Sequence, residues 1–284
     1  MKIQIIQVPY DCGHKERRQG MGPGHFINNH IIQILENDGH LVNTACIEAG
    51  SEFTLEIGTA FELNRLLSDE VKTALDKESF PIVLSGNCNS CLGNIAGINS
   101  DKLGVIWFDA HGEFNTPETT LSGFLDGMPL ATATGRCWTK IAGRIPGFKP
   151  VPESNVILVG ARDLDDEERI NLERSEVNLI RSEGLSDEEV LKAIDAVLEN
   201  IKSRVSYMYL HIDMDAFDID EGSANHLDST GGLKTEVVEE AITMVRKHLN
   251  LRAATIASYD PNCDSKGKFL EAGLRCARKL VSDG

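Results

Sequence analysis

Three short segments of this 284-residue chain concentrate residues that can do chemistry. In 105-VIWFDAHGEFN-115 an apolar run ends in Asp109, His111 and Glu113, spaced two apart. Alternate residues of an extended chain share a face, so these three side chains are expected on one side of a strand end. In 209-YLHIDMDAFDID-220 a second apolar run ends in Asp213 and Asp215. Buried carboxylates placed near one another are costly unless a cation compensates them. Two strand ends carrying oxygen and imidazole donors therefore make a candidate cage for divalent metals. The same residue types would also suit a solvated loop, and a calcium loop is a further alternative for Asp213 and Asp215. EF-hand spacing fails there, because Asp218 and Gly222 fall at the wrong offsets. The third segment, 85-SGNCNSCLGN-94, turns abruptly polar after the run Phe80–Leu84. Three occupations are open to its Cys88: closing a loop, attacking a substrate or holding a metal.

Such strand ends need a framework that sets them side by side. Short β-rich runs alternate with longer helical patterns along the chain. Expected strands are Ile3–Val8, Leu41–Ile47, Pro81–Leu84, Gly104–Phe108, Val156–Val159, Asn178–Ile180, Val205–Ile212 and Arg252–Ala257. The clearest helical patterns are Ile57–Leu75, Glu167–Arg174, Asp187–Ser203, Thr235–Leu249 and Lys268–Ser282. Ser186 followed by Glu189 reads as a capping box. This alternation implies parallel pairing with right-handed crossovers, hence an α/β fold whose open sheet is covered on both faces. A closed barrel has the same element count, so periodicity leaves both open. The longest irregular stretches are Gly112–Met128, Gly135–Glu153 and Asp218–Gly232, and long loops after strands are where α/β proteins build their sites. No linker, repeat or low-complexity tract divides the chain, and one domain over residues 1–284 is expected.

The formal net charge of −16 argues against a nucleic-acid partner, because phosphate neutralisation needs clustered Lys and Arg. No apolar run approaches the ~18 residues needed to span a membrane. The N-terminal MKIQIIQVPYDCG reads as a first strand rather than an export signal, so a cytoplasmic protein without membrane contact is expected. Seven cysteines, an odd number in a chain this long, do not suggest a disulfide framework. Gly20, Gly22 and Gly24 are interrupted by Pro23 and lack the spacing of a nucleotide loop.

The stretch Asp109-Ala110-His111-Gly112-Glu113-Phe114-Asn115 resembles the Asp-Ala-His-Ala-Asp-x-Asn motif of the ureohydrolases, the family of arginase, agmatinase and formimidoylglutamase. The resemblance runs through both ends of the chain. Val8-Pro9-Tyr10-Asp11 with Met21-Gly22-Pro23 is similar to the family's N-terminal loop, and Asp126-Gly127-Met128-Pro129 to its His-Gly-Met-Pro segment. Val159–Asp165 resembles its mid-chain strand, and Asp213-Met214-Asp215 with Phe217-Asp218 its Asp-Val-Asp-x-x-Asp motif. The resemblance implies a three-layer α/β/α fold with an eight-stranded parallel sheet and a dinuclear manganese site at the carboxyl ends of the strands. It implies that Asp109 and Asp213 bridge both metals, that His111 and Asp215 bind one, and that Glu113 and Cys88 complete the other. The activity it implies is metal-dependent hydrolysis of a C–N bond in a guanidino or amidino small molecule by a dinuclear-metal-activated hydroxide. Two cations meet a physical need: water is a poor nucleophile at neutral pH, and a guanidino carbon is a poor electrophile. A homo-oligomer is expected from the resemblance alone.

Several positions depart from the family pattern. Cys88 stands where a Gly-Gly-Asp-His-Ser motif carries a metal-binding histidine. Thiolate is softer than manganese selects, so Zn2+, Fe2+ and Co2+ join Mn2+ as candidates; an inert buried cysteine is the alternative. Glu113 replaces aspartate, which moves the carboxylate by about 1.5 Å, unless it merely faces solvent. Asp126 stands in place of a proton-shuttling histidine and is the expected proton-transfer residue, with an N-cap near Pro129 as the alternative. Ser258 aligns with a guanidino-binding glutamate and cannot form a bidentate charge pair. Phe124 takes the place of an asparagine that serves the substrate carboxylate. Asn115 and Asp165 fall at positions implied to contact substrate, with a helix N-cap as the other role for Asp165. These departures move the expected substrate from L-arginine toward N-hydroxyarginine, on which some relatives with a cysteine at this position act. Two other readings stand beside this one: a metal-free hydrolase with Cys88 as nucleophile and His111 as base, and a non-catalytic metal- or ligand-binding relative.

Overall fold

A computed structural model describes residues 1–50, 55–219 and 222–282. Positions 220 and 221, within the loop expected over Asp218–Gly232, lie outside the described residues. Eight strands form one sheet: β1 (Lys2–Val8), β2 (Leu41–Cys46), β3 (Ser79–Ser85), β4 (Leu103–Phe108), β5 (Val156–Val159), β6 (Asn178–Ile180), β7 (Tyr207–Asp213) and β8 (Asn250–Ala257). Their order is β2-β1-β3-β8-β7-β4-β5-β6, and every pairing is parallel. The sheet is open, with β2 and β6 at its edges, so the barrel alternative falls.

Parallel strands covered on both faces read as continuous apolar runs, and β3 and β4 are buried at every position. Ile106 and Phe108 face a core shared with the helices Gly22–Asn28, Ile31–Asn37, Asp187–Ile201, Thr235–His248 and Lys268–Val281. Val105 and Trp107 face the opposite core, toward the helices Cys91–Ile98 and Pro129–Ala133. The helix Glu56–Asp76 completes that layer, and the whole is the three-layer α/β/α arrangement. Ser186 forms its capping box, accepting from the Glu189 amide while the Glu189 carboxylate accepts from the Ser186 amide.

Periodicity gave no sign of the helix Cys91–Ile98, because Cys91 through Gly97 are all buried and the segment has no polar face. It lies tight against the helix Glu56–Asp76. A Cβ at Gly97 would stand 2.6 Å from the Val71 Cβ, so only glycine permits that approach.

Register decides where the site forms. Ser85 pairs with Ala257, Ala257 with Asp213, and Phe108 with Ile212. The carboxyl ends of β3, β8, β7 and β4 are therefore level. Cys88, Ser258, Asp213 and Asp109 emerge within three residues of those ends.

Candidate metal centre and active site

Beyond β4 the chain leaves the extended conformation, yet its three donors still converge. Ligand atoms of Asp109, His111 and Glu113 lie within 4.8 Å of one another. Continued alternation is not the cause. Glu113 sits at φ +53°, and its carbonyl accepts the Leu130 and Ala131 amides at 2.9 and 3.0 Å. A left-handed glutamate is strained, and the first turn of the helix Pro129–Ala133 holds it there. Asp109 Oδ1 accepts the His111 amide at 2.8 Å, and Asp109 Oδ2 accepts the Trp107 indole N–H at 2.8 Å.

At the end of β7, Asp213 Oδ1 accepts the Asp215 amide at 2.9 Å. Asp215 Oδ1 accepts the Ala110 amide at 3.2 Å, which ties the β7 and β4 loops together. Asp215 Oδ2 lies 3.5 Å from His111 Nδ1 and accepts from Asn225 Nδ2 at 3.2 Å. The Arg162 guanidinium donates to the carbonyls of Asp215 and Ser229 at 2.9 Å and of Thr230 at 3.0 Å, which fixes the loop behind Asp215.

The Cys88 turn meets this cluster from the other side. Cys88 Sγ donates to Asp213 Oδ2 at 2.9 Å and lies 3.4 Å from Ser258 Oγ. Ligand atoms of Cys88, Asp109 and Asp213 also fall within 4.8 Å of one another. The turn is locked by Asp126, which accepts the Cys88 amide on Oδ2 and the Asn89 amide and side-chain amide on Oδ1. Asp126 thus caps the Cys88–Ser90 turn and not the helix at Pro129, which has no side-chain cap. Gly86 lets the N-terminal segment close over the turn, since a Cβ there would stand 2.2 Å from the Tyr10 carbonyl oxygen. The imidazole beside Cys88 is His211, whose Nε2 is 3.0 Å from the sulfur, whereas His111 is held by Asp109 and Asp215.

The electrostatics call for cations. Burial, then neighbouring carboxylates, push Asp109, Glu113 and Asp213 above the usual carboxylate range. Burial works against a charged His111, but Asp215, Asp109 and Asp213 outweigh it and push the imidazole up to about 10. Glu113 Oε2 is buried without a hydrogen-bond partner among the described residues. Such an orphaned acceptor among like charges is what a metal ligand leaves when only protein is considered, so the donor set fits divalent cations. Burial pushes the Cys88 thiol well up as well, so without a cation it is a poor nucleophile.

The remaining expected site residues fall into two places. Ser258, buried at φ +65°, stands inside the donor cluster. Asn115 and Asp165 form a pair, Asn115 Nδ2 donating to Asp165 Oδ2 at 3.0 Å. Asp165 occupies the N-cap position of the helix Asp166–Glu173 but makes no side-chain cap bond. A cavity of ≈ 550 Å³ is walled in part by Phe124, Asn225, His226, Asp260 and Arg18. Asn225 links that cavity to the donors, since its amide also donates to the Ser258 carbonyl at 2.9 Å. Sequence reading missed Asn225, Trp107, Arg162 and His211 as site residues. The only signal for His211 was its even spacing to Asp213 along one strand face.

A sequence model of the Arginase family matches residues 1–282. The arginase of Bacillus subtilis (strain 168) is 29% identical, over 98% of this chain and 97% of its own length. The crystal structure of arginase from Bacillus subtilis superposes with a TM-score of 0.88 at 27% identity, over 100% of this chain and 99% of that one. Formimidoylglutamase from Bacillus subtilis shares the fold at 17% identity, with a TM-score of 0.76 over 98% and 86% of the two chains. Together with the donor set, these likenesses define the class: a metal-dependent hydrolase acting on guanidino compounds. The chain belongs to the arginase family.

Proposed function

We propose that the chain holds two divalent cations and hydrolyses a guanidino compound less basic than L-arginine, such as N-hydroxyarginine. Mn2+ is the first candidate, with Zn2+, Fe2+ and Co2+ admitted by the thiol. The observation that carries this reading is the pair of donor triads, Cys88/Asp109/Asp213 and Asp109/His111/Glu113, which share Asp109. Asp109 and Asp213 would be shared by two neighbouring metals, Cys88 would help to hold one and His111 and Asp215 the other, and Glu113, which lies within reach of Asp109 and His111, would complete the set.

Bound divalent cations supply the nucleophile by lowering the pKa of water. The chain's own residues do the rest. Ser258 offers a neutral hydroxyl where an ion-pairing carboxylate would select a guanidinium, which favours a less basic group. Phe124 gives the cavity an apolar wall, and Asn115 and Asp165, bonded to each other at 3.0 Å, are the residues assigned to the polar end of the substrate. Burial outweighs the amides donated to Asp126 and pushes its carboxyl well above the usual range, so it can carry a proton to the leaving nitrogen.

The test is protein stripped by chelation, refilled with each metal, and assayed on arginine, N-hydroxyarginine, agmatine, guanidino acids and formimino compounds. The N-hydroxylated guanidine is expected to turn over at least ~10-fold better than arginine. Cys88→Ala should lose about one of two ions per chain, read by elemental analysis. Unchanged occupancy would remove Cys88 from the ligand set. Full activity in the stripped sample would favour a cysteine nucleophile, and no turnover with any metal would favour a binding protein.

A further inference from the structure

Beneath Cys88 lies a buried polar chain that the chemistry above does not use. His211 Nε2 is 3.0 Å from the Cys88 sulfur, and His211 Nδ1 is 2.7 Å from the Tyr209 hydroxyl. The Tyr209 and Thr255 hydroxyls are 2.8 Å apart, and Asn94 Nδ2 donates to Thr255 Oγ1 at 3.0 Å. His211, Tyr209, Thr255 and Asn94 are each 0% exposed. The His211 ring lies nearly flat on Trp107, centroids 3.8 Å apart and planes 18° apart, and Trp107 is the residue that holds Asp109. A single stacked pair thus braces Cys88 and the shared carboxylate at once. Burying four polar side chains in an apolar face is costly unless they find partners, so the chain is a built feature.

We propose that His211 is a positioning residue that donates its Nε2–H to the Cys88 sulfur and holds the thiolate toward the metals, its ring held in place by the Trp107 stack and the Tyr209 hydroxyl at Nδ1. This rests on the reading of Cys88 as a ligand. A ligating thiolate has no proton to give, and a bare nitrogen lone pair 3.0 Å away would repel it, so the proton sits on Nε2. In the structure the Tyr209 hydroxyl donates to Thr255 Oγ1, which also accepts from Asn94; with the proton on Nε2 that hydroxyl turns from Thr255 to Nδ1, 2.7 Å away, which then accepts from it. A hydrogen bond to sulfur withdraws charge from it, which lets a soft ligand serve in a set of oxygen donors.

The test uses stripped protein refilled with Co2+, whose thiolate-to-cobalt absorption reports the sulfur–metal bond while cobalt per chain is measured in parallel. His211→Leu is expected to move that band to lower energy and to weaken Co2+ binding ~10–100-fold. His211→Gln, whose amide N–H reaches toward the same sulfur, should stay near the wild-type band. Tyr209→Phe keeps the core volume and should shift the band in the same direction as His211→Leu, by less. A band unmoved at equal cobalt content in His211→Leu overturns the proposal. If His211→Leu does not fold, an unmoved band in Tyr209→Phe overturns it instead. Cobalt bound to wild type with no thiolate band would be a different failure, that of Cys88 as a ligand.

Discussion

Along the boundary of β4 and β7 the centre is made of carboxylates and a solvent-reachable imidazole, whereas along β3 and β8 it is made of a thiol and a hydroxyl. The first side is over-supplied with negative charge: Asp109, Glu113 and Asp213 are all pushed upward, and His111 is drawn toward its cation. The second side carries little charge and much packing. Cys88 Sγ is enclosed by Asp213, His211 and Ser258 at 2.9, 3.0 and 3.4 Å. On the proposed function, one side would attract cations and the other would fix a soft donor and leave the substrate's nitrogen without a carboxylate, so affinity and selectivity would be set by different strands.

The largest expected effect comes from the charged side. Asp109→Asn keeps the shape but removes the charge that both donor triads share. Metal per chain after gel filtration should fall close to zero, with affinity down at least ~100-fold. Retention of both ions would show that the two triads do not depend on one carboxylate.

An intermediate effect is expected on the packed side. Cys88→His installs an imidazole in a pocket already filled by His211, and overpacking should destabilise the fold by about 1–3 kcal/mol. Adding His211→Ser should recover part of that loss, giving a coupling of about 1 kcal/mol in denaturant unfolding of stripped protein. Additive losses would mean that the two positions do not share one space.

The smallest effect is one of pH and arises on the charged side. An imidazole raised from 6.5 to about 10 contributes stability that is fully present below pH 6.5 and is lost as pH rises through 10. The raised carboxyls of Asp109, Glu113 and Asp213 bind protons more tightly folded than unfolded, so the stability that they contribute is likewise lost as pH rises. Stripped protein should therefore lose a few degrees of Tm between about pH 6.5 and 10. Cations that replace those protons should flatten the loss, because their binding tightens as pH rises. A thermal scan of stripped and loaded protein across that range checks both arms; parallel curves would argue against a cation-hungry site.

Much of this was legible in the chain. Continuous apolar runs such as Ile82-Val83-Leu84 and Val105–Phe108 marked strands covered on both faces, and the Ser186–Glu189 spacing marked a helix start that the structure contains. The convergence of Asp109, His111 and Glu113 was expected too, but for a different reason. An extended chain would have aligned them, whereas a left-handed Glu113 pinned by the amides of Leu130 and Ala131 brings them together. The helix Cys91–Ile98 escaped notice because a segment buried all round has no period to detect. His211 escaped because one histidine in an apolar strand reads equally well as core.

By itself the sequence determined what is local: which runs are strands, where they turn polar, and that carboxylates, a thiol and an imidazole stand at their ends. Those features follow from side-chain period and chemistry, which need no partner. Only the tertiary structure decided which donors share a site and what stands behind them. β3 and β7 are not neighbours; β8 lies between, presenting Ala253, Thr255 and Ala257 on the face where Cys88 and His211 meet. That contact joins residues 123 positions apart through the register of three strands, and register is a property of the assembled sheet that no local window contains.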